Sequence, residues 1–198
     1  MKRLRKYHKV RFFHCGEYGS LNMRPHYHAI IFGFSFPDRK KFKDLPSGFP
    51  VYTSEFLESL WPYGFSSVAD CSFESAAYVA RYVMKKVSGD AADEHYAGRR
   101  PEYVTMSRRP GIGAGWFDLY KDDVFPSDEV ILKGRRFKPP KFYDRLFEIT
   151  DPDEFARIKA ARIAAASTDK AILDSAGDRL RVREKVKLAR ISQLKRSL

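Results

Sequence analysis

The chain has 198 residues, of which 43% are hydrophobic and 15% aromatic, and its formal net charge is +12. This length and hydrophobic share provide for one cored domain plus an appendage and exclude a disordered main body, while the charge selects polyanionic partners, nucleic acid before an anionic membrane surface. Two cysteines without a CxxC pair give no zinc ribbon, no apolar run approaches the ~18 residues of a membrane span, and the N-terminus MKRLRKYHKVR is too charged for a signal peptide, so a soluble cytoplasmic protein with no membrane partner is expected.

In chain order, Lys2 to Lys6 is short, basic and helical in character. Val10 to Glu17 (VRFFHCGE) reads as a strand, because β-branched and aromatic residues dominate it. Tyr18 to Arg24 reads as a turn around Gly19 and Asn22, and Pro25 to Phe34 (PHYHAIIFGF) as a second strand, so the two make an antiparallel hairpin. Pro37 to Pro50 is a lysine-containing loop. Thr53 or Ser54 caps a short helix through Leu60, and Phe65 to Asp70 is a strand candidate. Ser72 caps a helix expected from Glu74 to Val87, ended by Gly89 and Asp90. The irregular stretch continues to Pro101. Glu102 to Met106 is a short strand, Ser107 to Gly115 a loop, and Trp116 to Lys121 a helix. Glu129 to Lys133 and Arg135 to Lys138 form a hairpin about Lys133-Gly134. At Thr150 the composition changes: TDPDEF is a helix start with a cap at Thr150 or Asp151, Pro in the first turn and acids behind it. An Ala-, Lys- and Arg-rich helical appendage with a break at Gly177 follows to Leu198. Its basic residues are expected to add electrostatic affinity for DNA or a host partner.

Two local patterns carry chemistry. His26 and His28 are separated by one residue on a strand, so both imidazoles leave the same face and Tyr27 leaves the other. Glu17 ends the preceding strand of the same hairpin and lies beside the pair. Two imidazoles and a carboxylate with open positions suit Mg²⁺ or Mn²⁺. His14 differs from Glu17 in parity and is expected on the opposite face, in a structural role. In the second pattern, ESAAYVARYVMKKV, Tyr78 and Tyr82 stand four residues apart, one helical turn, with Cβ atoms ~5–6 Å apart. Lys85 and Lys86 follow Tyr82 by three and four residues and are read as stabilising the charge of its phenolate or of a phosphate. Tyr82 is therefore expected to act first and Tyr78 in a second transfer. Ordinary packing of the tyrosines is the competing reading.

Glu17, His26-Tyr27-His28 and Tyr78-Val-Ala-Arg-Tyr82-Val-Met-Lys85 occur together and in order. This set resembles the HUH endonuclease superfamily, and within it the replication initiators of microviruses of the gokushovirus type. The stretches FHCGEYG, RPHYHAIIFG, FESAAYVARYVMKK and EYVTMSRRPGIGAGWF carry the likeness, with further similarity from Pro126 to Tyr143. The resemblance implies an α+β fold, an antiparallel sheet with the metal pair on a strand and the tyrosine helix packed across it, over residues 1–150, with 151–198 as a basic helical tail. It implies rolling-circle initiation: a tyrosine attacks a phosphodiester at a single-stranded origin, keeps a 5′-phosphotyrosine link and frees a 3′-OH. Arg108 and Arg109, beside a glycine-rich loop, are candidate phosphate contacts, as are Arg24 and Arg81. Host helicase or polymerase are expected as further partners. Related initiators carry an earlier strand, and the chain begins at what resembles the helix after it. An inactive truncated initiator is therefore one alternative. A non-catalytic protein binding single-stranded DNA or RNA is the other.

Overall fold

The computed structural model describes residues 1–193 apart from residues 20, 21, 47 and 82–85, and without the side chain of Arg81. The protein is α+β, with antiparallel sheets and helices, and divides into two compact units, Met1–Ile112 and a second from Gly113 onward.

The first unit is built on a three-stranded antiparallel sheet in the order β2-β1-β5. A single 3₁₀ turn, Leu4–Lys6, precedes β1 (Arg11–Tyr18). The turn after β1 leads into β2 (Pro25–Phe32), and the register sets Cys15 opposite His28 and Glu17 opposite His26. Next comes a hairpin of β3 (Lys40–Asp44) and β4 (Pro50–Thr53), so the lysine-containing segment expected as loop is partly a strand. Charged side chains on a narrow two-stranded ribbon leave almost no apolar alternation to read there. Helix α1 (Glu55–Leu60) is capped by Ser54, whose hydroxyl accepts from the Leu57 amide at 3.0 Å. Of the strand expected from Phe65 to Asp70, only a bridge between Val68 and Tyr52 forms.

Helix α2 (Phe73–Arg81) starts on a reciprocal cap: Ser72 Oγ accepts from the Ser75 amide at 3.2 Å and Ser75 Oγ from the Ser72 amide at 2.8 Å. It does not reach Val87 as its sequence suggests, because Lys86 and Val87 are irregular. The cause is tertiary. The Val87 amide donates to Tyr96 Oη at 2.9 Å instead of entering a helical ladder. Tyr96 ends α3 (Ala91–Tyr96), a helix within the stretch expected to be irregular, and β5 (Tyr103–Met106) follows. The core of the sheet consists of Cys15, Ile30 and Val79, with Phe13, Ala76, Tyr78 and Val104 packed against it. Helix α2 therefore lies against the face carrying Phe13, Cys15 and Glu17. On the other face His14 packs between Phe12 and Tyr103, at ring separations of 5.6 and 5.4 Å, as its parity requires.

The second unit contains α4 (Ala114–Val124), a hairpin of β6 (Val130–Leu132) and β7 (Arg135–Phe137), α5 (Lys141–Thr150), α6 (Pro152–Ala166), α7 (Asp169–Asp174) and α8 (Gly177–Ser192). The hairpin turns on Lys133 and Gly134 with φ of 50° and 72°, the left-handed pair that a two-residue turn requires. Asp151 caps α6 by accepting from the Glu154 amide at 3.0 Å. The core joins Phe117, Val124 and Phe125 to Phe147, Phe155 and Ile158, with Phe125 and Phe147 stacked at 4.0 Å. Residues 113–150 thus share a core with the start of the segment read as a tail. The compact units divide at Ile112, and no such division falls at Thr150.

A charge network ties the same elements. Arg162 Nε and Nη2 both reach the Asp128 carboxylate, and Nη1 and Nη2 bond Asp144 at 2.9 Å each. Hydrogen bonding to Arg162 holds the Asp128 carboxyl below its ordinary value. A carboxyl depressed in the folded state stabilises above its unfolded pKa of ~3.9, and that contribution is lost as pH falls through the folded value. Arg162→Met leaves two mostly buried carboxylates facing each other and is expected to cost roughly 1–3 kcal/mol at neutral pH. It should also flatten the acid side of the stability profile below about pH 4. Hydrogen exchange of the α5 and α6 amides across pH measures both effects, and an unchanged profile would refute the role given to the network.

Candidate functional site

The end of the β1-β2 hairpin gathers the chemically capable side chains. Glu17 is buried, at 7% exposure, near the end of β1. Its Oε1 accepts from His28 Nε2 at 3.1 Å. Such contact is what same-face, neighbouring register positions permit: His28 stands opposite Cys15, diagonal to Glu17, and His26 stands directly opposite Glu17. His26 is exposed, and its ring lies over Gly19. A Cβ at Gly19 would come within 2.7 Å of His26 Cε1, so the glycine leaves room for the imidazole. The turn is closed by the Gly19 amide donating to the Arg24 carbonyl at 2.9 Å.

From the helix side, Tyr78 approaches the histidines. Its ring meets that of His28 edge to face, with centroids 6.4 Å apart. Tyr78 also packs against the Cys15-Ile30-Val79 core. The phenol is thereby held on the face that carries Glu17, His26 and His28. Tyr82 and Lys85, named from the sequence for the same helix, lie outside the described residues, as does the side chain of Arg81. Lys86 is exposed and past the described helix. Its expected place four residues along the helix from Tyr82 is not kept, because the Val87 amide is drawn to Tyr96.

The donor chemistry suits a small divalent cation: one carboxylate and two imidazoles at adjacent positions of a single sheet face. In the side-chain arrangement described, Glu17 and His28 are bonded to one another. Among the described residues, no three His, Cys, Asp or Glu side chains gather about a common point. Binding an ion would exchange the Glu17–His28 bond for two bonds to the metal.

The cationic candidates are dispersed. Arg24 is exposed in the turn before β2, and its amide donates to Asn22 Oδ1 at 3.1 Å. Arg108 and Arg109 are exposed after β5, where Arg108 bridges to Gly111. Arg109 is not isolated, because its carbonyl accepts from Arg11 Nη1 at 3.2 Å.

The structure adds residues that sequence reasoning did not single out. Tyr96 and Glu102 form a buried pair, with the phenol donating to the Glu102 carboxylate while accepting from the Val87 amide. Burial, then the carboxylate, raises the Tyr96 pKa, so the phenol remains a donor. This pair fixes the chain just beyond the tyrosine segment. Neither residue belongs to a periodic pattern, so local sequence carries no signal for it. Tyr96→Phe removes the partner of a buried carboxylate and of an amide, and is expected to destabilise by roughly 1–3 kcal/mol. Thermal unfolding, with exchange of the Val87 amide, measures this. Unaltered exchange at Val87 would remove the tether.

Comparison with known proteins bears on the same region. Residues 1–87, which contain Glu17, both histidines and the tyrosine segment, match a family model for replication-associated proteins of the ORF2 type. The relatives are phage replication proteins. The chain is 34% identical over 165 residues to "Replication-associated protein ORF2" of Spiroplasma virus 4, covering 78% of this chain and 50% of that protein. It is 34% identical over 167 residues to "Replication-associated protein VP4" of Bdellovibrio phage phiMH2K, covering 83% and 51%. For "Replication-associated protein ORF4" of Chlamydia phage 1 the identity is 30% over 167 residues, covering 78% and 41%. The chain thus spans about half the length of the curated relatives it matches. No solved structure gives a significant match. Among the described residues, no helix is long and apolar enough to cross a membrane.

Proposed function

We propose that the chain carries the nicking and rejoining centre of a phage replication initiator of the HUH type, acting on single-stranded origin DNA inside the bacterial host. The observation that carries this reading is the convergence on one sheet face of Glu17, His26, His28 and the ring of Tyr78, 6.4 Å from that of His28. The replication-associated names of the relatives support it.

In this reading a phenol oxygen of Tyr78 or Tyr82 bonds to phosphorus and the P–O3′ bond breaks. The phenol proton is lost, the leaving oxygen becomes a 3′-OH, and the 5′ side of the strand remains esterified to tyrosine. Because the phosphoester is conserved, a later attack by a 3′-OH restores the strand and the phenol without ATP. Glu17, His26 and His28 would hold Mg²⁺ or Mn²⁺, and such an ion, when bound, polarises a phosphate oxygen. The apolar packing of Tyr78 limits its rotation and orients the phenol toward the histidines. Arg24, Arg81, Arg108 and Arg109 serve as contacts to the DNA backbone, and host helicase or polymerase would use the 3′ end.

The Glu17–His28 hydrogen bond favours a second reading, a single-strand-binding module that does not cut. One experiment separates them: the full chain is incubated with single-stranded phage origin DNA and Mn²⁺ and run on a denaturing gel. Nicking predicts a protein–DNA adduct that survives denaturant and is released by protease. Tight binding without an adduct would leave the second reading.

A further inference from the structure

A cleft of about 450 Å³ lies beside the start of β1, lined by Arg5, Lys6, His8, Lys9, Arg11 and Arg109, with no acidic residue in its wall. Five fixed cations around one opening repel one another, and an anion relieves that repulsion. Arg11 supplies the second, independent observation. Its Nη1 donates to the Arg109 carbonyl at 3.2 Å, whereas its Nη2 is buried without a hydrogen-bond partner among the described residues. A guanidinium with one arm anchored and the other unsatisfied is oriented for a bidentate oxyanion such as phosphate. Arg5 is held beside it by its position over the Phe12 ring, 5.9 Å from the centroid.

Strand parity relates this cleft to the candidate site. Arg11 and Glu17 are both odd-numbered on β1 and leave the same sheet face, six residues or about 20 Å apart along the strand. We infer that the Arg5–Arg11–Arg109 cleft is a second phosphate-binding site, which grips the backbone of single-stranded DNA a few nucleotides from the phosphate presented to the tyrosines. The inference rests on the nicking reading for the location of that phosphate, and on the cleft's own geometry for the anion. The cleft sets the register of the strand by its backbone. It reads no base, because its donors are guanidinium and ammonium groups suited to phosphate.

The test measures equilibrium binding of a single-stranded origin oligonucleotide to the full chain, with each phosphate in turn replaced by a neutral methylphosphonate. Arg11→Gln is expected to weaken binding about tenfold at low salt and to reduce the salt slope by roughly 0.7 for each phosphate that is no longer neutralised. Arg135→Gln, which removes an exposed charge in the second unit, is the matched control. For the wild type, one or two positions should be sensitive to neutralisation, and Arg11→Gln should erase that sensitivity while Arg135→Gln keeps it. Arg109→Gln, an exposed side chain, should blunt the same positions and serves if Arg11→Gln unfolds. Equal losses in Arg11→Gln and Arg135→Gln, or no sensitive position at all, would overturn the cleft. Repeating the scan in the Tyr78→Phe/Tyr82→Phe chain separates the two ideas. Sensitivity that persists where the wild type forms no adduct retains the cleft and discards nicking. An adduct without sensitive positions does the reverse.

Discussion

Tyr78→Phe/Tyr82→Phe is expected to abolish the covalent protein–DNA adduct and to lower strand cleavage by roughly three orders of magnitude or more, since the nucleophile itself is removed. The substitution is a clean one at Tyr78. That ring packs against Cys15, Ile30 and Val79, and phenylalanine keeps this apolar surface and the edge-to-face approach to His28. Only the hydroxyl is removed, so folding and salt-dependent DNA binding should stay close to wild type. The single variants then divide the labour. The spacing of the basic residues gives Tyr82 the first attack, which predicts that Tyr82→Phe loses first-strand nicking, whereas Tyr78→Phe nicks but fails to close the displaced strand. Lys86, one of the two lysines behind that order, lies past the described helix. Tyr78 has the described approach to His28. Loss of the first nick in Tyr78→Phe alone would therefore reverse the order. Cleavage by the double variant would exclude a tyrosine nucleophile and point to water.

His26→Ala/His28→Ala should lower cleavage by about a hundredfold or more through loss of the site proposed for the cation, and leave most DNA affinity intact. Phosphate contacts by Lys and Arg dominate affinity for single strands, and neutral histidines add little to them. Titration of the chain with Mn²⁺, followed calorimetrically, provides a readout apart from catalysis: the wild type should bind one ion and the double variant none. Glu17→Gln is the more conservative probe. It keeps the shape of a side chain that is 7% exposed and retains an oxygen to accept from His28, but it removes the anionic donor. Its Mn²⁺ affinity should fall without loss of the folded sheet. Full cleavage by the histidine variant in the presence of a chelator would exclude metal assistance.

Much of the site was legible because it depends on short-range periodicity. On a strand, residues two apart share a face, so His26 with His28, and Glu17 opposite them across a hairpin, follow from spacing alone. Tyr78 within a helix capped by Ser72 is similarly local, and the observed cap and the start of α2 lie within one residue of expectation. The start of α6 at Asp151-Pro152 is legible in the same way, because its capping residue, proline and acids are contiguous. The lysine-rich β3 and the six-residue α3 were not, since neither displays an apolar face to count.

By itself, then, the sequence determined the hairpin, the parity that separates Glu17 from His14, the tyrosine spacing and the strongly basic character. Tertiary structure decided the rest. β5 joins β1 across about ninety residues, setting Val104 beside Cys15 under α2. Tyr96 takes the Val87 amide and keeps Lys86 from the helical position that propensity assigns it. Phe125 stacks on Phe147, and Arg162 finds Asp128 and Asp144, which moves the unit boundary to Ile112. In each case the deciding partner is distant in sequence. A backbone amide, an aromatic ring or a guanidinium takes its place according to which buried group it satisfies, and that choice exists only once the chain has folded.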